Sequence, residues 1–241
     1  MMRHIRIMGM IVLLSITYMG HGQFYSFKTI SNNKGLGYTW VNDICCDHEG
    51  YFWFCTVNSI YRYNGVHCEE YLTDKLHGLR ITDFLQDAHL NYWIASDQGL
   101  LHHRLQEDST FYFNLDQDET LSIKSPKVHQ IYEESDSSIL LATSKGIYRI
   151  NLSNYDVSLL TESLNQIEEV NKIEVDVDGN FWIFNNLSEL WYIYTKQNEA
   201  IKYELHNHGA EIYSIHYTNN DNLWLASHGN GAICIQVNKG I

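Results

Sequence analysis

The chain has 241 residues, 44% of them apolar, and a formal charge of −13. That length supports a sizeable buried core, and the acidity argues against nucleic acid or an anionic membrane surface as a partner. Proline occurs once, at Pro126, and no low-complexity run marks a linker.

Residues 1–22 differ in character from the rest of the chain. Arg3, His4 and Arg6 form a basic start, Ile7 to Tyr18 is an apolar stretch too short to span a bilayer, and Gly20-His21-Gly22 offers small residues for cleavage before Gln23. The pattern predicts a removed signal peptide and an exported domain over residues 23–241. Losing Arg3 and Arg6 leaves 14 basic against 29 acidic residues, or −15, so no direct membrane binding is expected after cleavage.

From residue 41 onward the chain repeats itself. Asp43 to Thr56 reads as two short strands around the turn Asp47-His48-Glu49-Gly50, and Ile60-Tyr61-Arg62-Tyr63 as a third. Related copies centre on Trp93, Leu140, Trp182 and Trp224, at separations of 40, 47, 42 and 42 residues counted from Trp53. This is the length of a four-stranded propeller blade, and the two-residue alternation excludes helical solenoids of similar period. The fold expected is all-β: a β-propeller of about five four-stranded blades.

The first copy parses as an innermost strand over Val41 to Asp47, then Tyr51 to Thr56, Ile60 to Tyr63, and an outermost strand over Cys68 to Thr73. The unbroken apolar run Tyr51-Phe52-Trp53-Phe54-Cys55 suits a strand covered on both faces by neighbouring blades. The tryptophans at this phase are expected to be buried and equivalent. The third copy lacks both the tryptophan and the turn glycine but keeps Gly146-Ile147-Tyr148-Arg149-Ile150, so it counts as a blade. Phe24 to Ile30 suits an outermost strand. Pairing it beside Ile233 to Val237 would close a five-bladed ring; without that pairing the five copies form an open part of a larger, seven-bladed ring.

The first copy resembles the repeat of the two-component regulator propeller family, which runs roughly Val-x-x-Ile-x-x-Asp-x-x-Gly-x-x-Trp-x-Gly-Thr-x-x-Gly-Leu-x-x-Tyr. Val41, Ile44, Asp47, Gly50, Trp53, Thr56, Ile60 and Tyr63 match it. The resemblance implies the periplasmic sensor region of a hybrid two-component system or sensor histidine kinase, responding to oligosaccharides, with a membrane-bound histidine kinase as partner. Cys55 and Ala95 replace the glycine of the family's Trp-x-Gly-Thr, and this sequence contains no kinase core, transmembrane helix or DNA-binding helices. The expectation is a non-catalytic sensor propeller, or a fragment of one that lacks its kinase.

No nucleophile elbow, phosphate loop or zinc-binding His-Glu-x-x-His helix occurs, so no catalytic residue, cofactor or metal is assigned. A propeller lyase or glycosidase and a protein-interaction propeller are the alternatives. Asp176-Val177-Asp178-Gly179-Asn180 has the look of a calcium loop, but it reads better as a hairpin turn whose aspartate caps the backbone. The histidine pairs His102-His103 and His206-Asn207-His208 lack a third ligand nearby. Cys45, Cys46, Cys55, Cys68 and Cys234 are odd in number. If one bridge forms, Cys45 and Cys55 on adjacent strands are the best-placed pair.

Ligand contacts are expected from the loops entering each innermost strand and those joining the second strand to the third. Tyr38 and Trp40 would stack on sugar rings, Arg80 and Lys145 would pair with a uronate or sulfate, and Asn58, Asp97, Asn186 and His228 would hold hydroxyls.

Overall fold

A computed structural model describes residues 27, 29–30, 34–37, 40–115, 125–162, 164, 167–187, 189–203, 212–218 and 221–237. Met1–Ile30 forms one unit and Ser31–Ile241 another. The expected signal peptide lies outside the described residues, as does most of Phe24 to Ile30; Phe27, Thr29 and Ile30 are described and are not in a strand.

The larger unit is built of five antiparallel sheets, one per sequence repeat. The first contains β1 (Val41–Cys46), β2 (Phe52–Thr56), β3 (Ile60–Tyr63) and β4 (Cys68–Tyr71); the second β5 (Ile81–Gln86), β6 (Tyr92–Ser96), β7 (Gly99–Arg104) and β8 (Ser109–Phe113). The third contains β9 (Val128–Ser135), β10 (Ser138–Thr143), β11 (Gly146–Asn151) and β12 (Val157–Leu159), and the fourth β13 (Val170–Val175), β14 (Phe181–Asn185), β15 (Leu190–Tyr194) and β16 (Glu199–Tyr203). The fifth shows three strands among the described residues, β17 (Ile212–Thr218), β18 (Asn222–Ser227) and β19 (Gly231–Gln236). In every blade the strands pair in chain order, the arrangement expected of a propeller.

In the first two blades the hairpin between the first and second strands is organised by one carboxylate. Asp47 Oδ1 accepts from the Glu49 and Tyr51 amides at 3.0 and 2.9 Å, while its Oδ2 accepts from the Trp53 indole at 2.8 Å. Asp87 repeats this with His89, Asn91 and the Trp93 indole, all at 2.8–2.9 Å. The fourth position of the turn takes a positive φ, 85° at Gly50 and 80° at Gly179, and even Leu90 adopts 67° there. Glycine carries no penalty in that region, so the sequence supplies it in two of the blades.

Four apolar clusters fill the spaces between successive blades. Trp53 packs on the second blade, its ring 4.6 Å from Phe84 and 5.1 Å from Tyr92. Trp93 packs toward the third blade and lies flat on His102 at 4.0 Å. Trp182 packs toward the fifth blade, against a cluster that includes Ile212 and Leu225. In this fourth blade Asp176 Oδ2 accepts instead from the Tyr192 hydroxyl at 2.6 Å, and the buried Trp182 indole nitrogen has no partner among the described residues.

Three of the four phase tryptophans are therefore buried as expected, but Trp224 is 43% exposed. Each phase residue points toward the next blade, and beyond the fifth the described residues supply none. The opposite end mirrors this, for Val41, Ile44 and Phe52 on the first blade are 38%, 58% and 49% exposed. The turn aspartate is also replaced in the fifth blade: its position is Thr218, whose hydroxyl donates to the Asn222 carbonyl at 3.2 Å. The Cys45–Cys55 bridge is not formed. Ladder register sets Cys45 opposite Trp53 and Cys55 opposite Asp43, and all five cysteines are free thiols. Burial pushes the Cys45 and Cys55 thiols far above the ordinary value, which leaves them protonated and unreactive.

The contrast between tryptophans is measurable. Trp93→Ala is expected to cost about 3–5 kcal/mol of unfolding free energy, and Asp87→Ala, which uncaps the turn and strands the indole, about 2–3 kcal/mol. Trp224→Ala should cost less than about 2 kcal/mol, since nearly half its surface stays in water. Urea titrations of the three variants compare them directly; equal losses for Trp93 and Trp224 would contradict this packing.

Candidate functional site

One extra residue sits in every innermost strand near its entry end. The pairing to the second strand skips a position between Val41 and Asp43, Ile81 and Asp83, Val128 and Gln130, Val170 and Lys172, and Ile212 and Ser214. The bulged residues are Asn42, Thr82, His129, Asn171 and Tyr213, each eleven positions before its phase residue. A bulge re-aims a side chain that a regular ladder would hold in the sheet face.

In the first two blades that side chain is spent on the next blade. Asn42 Nδ2 donates to the Ile81 carbonyl at 2.6 Å, and the Thr82 hydroxyl donates to the Val128 carbonyl at 2.6 Å. His129 and Asn171 break the pattern: His129 Nε2 and Asn171 Oδ1 are buried and make no hydrogen bond among the described residues. Tyr213 is 61% exposed.

Around His129 and Asn171 lies a polar cradle between the third and fourth blades. Asn171 Nδ2 donates to Asn186 Oδ1 at 2.5 Å, Asn186 Nδ2 donates to Glu169 Oε2 at 2.8 Å, and that same oxygen is 3.8 Å from His129 Nε2. The backbone holds these loops together, since the Asn186 amide donates to the Glu169 carbonyl and the Glu169 amide to the Ser144 carbonyl. Burial, reinforced by the positive charges of Lys127 and Lys172, lowers the His129 ring to about 4. It is a neutral imidazole at pH 7, with one N–H to give and one lone pair to offer.

Chemically, the cradle combines an acceptor (Asn171 Oδ1), a neutral imidazole nitrogen and a carboxylate. A hydroxyl satisfies such a set because it donates and accepts at once. An anion does not, because it would meet the Glu169 carboxylate and the Asn171 oxygen.

One residue further along, the innermost strands carry Asp43, Asp83, Gln130, Lys172 and Ser214 at equivalent positions. Asp83 Oδ2 accepts from the Ile131 amide at 2.8 Å and Gln130 Oε1 from the Ile173 amide at 2.7 Å, so each strand is tied to the next. Asp83 also hydrogen-bonds Asp43. Burial and the Asp43 charge push its carboxyl well above the usual range, although Lys172 acts the other way.

The expected ligand contacts are only partly assembled. Arg80 and Asp97 are joined, the Arg80 amide donating to Asp97 Oδ1 at 3.0 Å and the Asp97 amide to the Arg80 carbonyl at 3.1 Å. Asn186 belongs to the cradle. Trp40 is 85% exposed, and Asn58 and Lys145 are exposed on their loops. His228 lies against Tyr213, with ring centroids 6.1 Å apart. Tyr38 lies outside the described residues. Sequence reading missed His129, Glu169 and Asn171 as a group. Counting eleven residues back from each phase position would have lined up Asn42, Thr82, His129, Asn171 and Tyr213 as a polar ring.

Residues 35–58 match the family model described as two component regulator propeller, so the first blade carries that repeat. No curated protein matches the chain. Among solved structures it is similar to the extracellular domain of BT4673 from B. thetaiotaomicron, described as a hybrid two component system: 19% identity, TM-score 0.70, 88% of this chain and 32% of that one. It is also similar to a catalytically inactive virginiamycin B lyase from Staphylococcus aureus, at 15% identity and TM-score 0.60 over 84% of this chain and 71% of that one. PorZ of Porphyromonas gingivalis, a surface component of the type-IX secretion system, matches at 14% and 0.60 over 81% and 32%. These identities establish the propeller fold, and the chain spans about a third of the BT4673 domain. No described helix is long and apolar enough to cross a membrane.

The acid pair gives a pH-dependent expectation. Asp83 holds its proton more tightly folded than unfolded, so its contribution to stability is fully present below about pH 4 and is lost as pH rises through the folded value. Asp83→Asn keeps an acceptor for the Ile131 amide and offers Asp43 a donor. It is expected to raise the melting temperature relative to the parent at pH 8, with the gain shrinking toward pH 4. A pH series of thermal melts reads this, and a gain that does not vary with pH contradicts the shared proton.

Proposed function

We propose that this chain is the ligand-sensing propeller of an exported signalling protein, and that it recognises an oligosaccharide without turning it over. The observation that carries the reading is the pair of buried, unpaired polar atoms on His129 and Asn171. Two blades spend the equivalent side chain on the next innermost strand, whereas the next two leave a buried polar atom of it, His129 Nε2 or Asn171 Oδ1, without a hydrogen bond among the described residues, which supports its being reserved for a ligand. Sugar hydroxyls match their chemistry. Exposed Trp40 on the same set of loops offers a stacking surface for a ring.

The two-component regulator propeller repeat in the first blade, and the likeness to the BT4673 extracellular domain, support a sensing role. The basic and apolar start of the sequence supports export to the periplasm. A membrane-bound histidine kinase is the partner this role calls for. The likeness to virginiamycin B lyase extends to the fold.

Calorimetric titration with a panel of neutral and acidic oligosaccharides tests the reading, with the mixtures analysed for products. A neutral sugar is expected to bind intact. His129→Leu and Asn171→Leu should each weaken it by about tenfold or more, equivalent to about 1.4 kcal/mol, while Asn42→Leu at the self-bonded position leaves it within a few-fold. Cleavage of any sugar, or affinity indifferent to both cradle variants, would overturn the proposal.

A further inference from the structure

The third blade departs from the repeat in a second way. Its phase residue is Leu140, where the first, second and fourth blades carry buried tryptophans. At the first interface the Trp53 indole is enclosed by Tyr71 at 5.0 Å, Phe84 at 4.6 Å and Tyr92 at 5.1 Å, with the Arg62 guanidinium 5.9 Å from the ring centroid. Ladder register carries these positions to the interface between the third and fourth blades. Arg62, opposite Trp53, becomes Arg149, opposite Leu140; Tyr92 becomes Phe181; and Tyr71, opposite Ile60, becomes Leu160, whose amide donates to the Ile147 carbonyl.

Those three residues line a cavity of about 230 Å³, together with Ile193, Thr195 and Asn198. Three of the four positions that enclose the indole at the first interface thus stand around open space at the third, as Arg149, Leu160 and Phe181. Leucine is the smaller side chain, and a rigid blade pair does not collapse to make up the difference. An apolar cavity of about 150 Å³ already accepts benzene, so this one has room for two fused rings. Its rim reaches solvent, for Asn198 is exposed and the Arg149 side chain is 38% exposed.

Arg149 is fixed in place. Its Nε donates to Glu134 Oε2 at 2.8 Å and its Nη2 to Glu134 Oε1 at 2.5 Å. Glu134 stands six residues before Leu140, as Asp47 stands six before Trp53 and accepts its indole N–H. The third blade therefore keeps an arginine opposite its phase residue and a carboxylate at the acceptor's position, while Leu140 and Leu160 stand where the first interface has Trp53 and Tyr71. A pinned guanidinium over an aromatic face is attractive electrostatically, and a carboxylate at that position favours a ring carrying a donor.

We infer that the cleft between the third and fourth blades, walled by Arg149, Leu160, Phe181 and Ile193, is a binding site for a planar aromatic group of up to two fused rings bearing an N–H or O–H. The occupant takes the place of the tryptophan that the repeat omits. The site is separate in composition from the His129 cradle and does not depend on what binds there.

Indole is the probe. Titration of the wild-type chain, read by calorimetry or by protein NMR shifts, is expected to show saturable binding, with shifts centred on Phe181, Ile193 and Arg149. Leu140→Trp restores the repeat's own ring and is expected to weaken indole at least tenfold. Leu160→Phe narrows the cavity from the opposite wall, provides the same reading if the larger substitution disturbs folding, and is expected to weaken indole several-fold. Crystals of the wild-type chain soaked with indole should hold it between Arg149 and Phe181. Absence of saturable binding to the wild type, density elsewhere, or affinity unchanged within twofold in whichever of the two variants folds overturns the inference.

Discussion

A single carboxylate at the first turn of a blade ties local structure to the packing between blades. In the first two blades its one oxygen collects the amides of the turn, and its other oxygen fixes the indole that fills the space to the next blade. The hairpin and the interface are therefore made by the same side chain. A short antiparallel sheet with two apolar faces is unstable alone, and the orientation of that indole lets one blade bury the face of the next.

The departures from this arrangement fall unevenly. The fourth blade keeps the aspartate but gives it to Tyr192, and the Trp182 nitrogen goes unpaired among the described residues. The fifth has Thr218 in its place and leaves Trp224 half in water. The third changes both members, Glu134 for aspartate and Leu140 for tryptophan, and turns a hydrogen bond to a ring into an ion pair with Arg149. Two unusual features border this one blade: the aromatic-sized cavity, and a buried His129 Nε2 with no hydrogen bond among the described residues.

Closer to the innermost strands, side chains crossing to backbone groups hold the blades in register. Asn42, Thr82, Asp83 and Gln130 each reach the backbone of the next innermost strand. The acid pair at Asp43 and Asp83 belongs to this set and carries an electrostatic cost that burial enforces. Such cross-strand bonds leave the loops above them free to vary, since register does not depend on what the loops contain.

The sequence by itself determined the blade length, the number of copies, the strand order and three of the interface tryptophans, Trp53, Trp93 and Trp182. Those properties come from local periodicity and turn chemistry, which are written in consecutive residues. It also contained His129 and Asn171 at a fixed distance from Leu140 and Trp182, but nothing local distinguishes them from Asn42 and Thr82. Whether such a side chain is spent or unspent depends on the backbone of the neighbouring blade, some forty residues away in the chain. The exposure of Trp224 and the cavity walled by Arg149, Leu160 and Phe181 were decided in the same way. Burial belongs to a pair of blades, and only the tertiary structure sets one blade against the next.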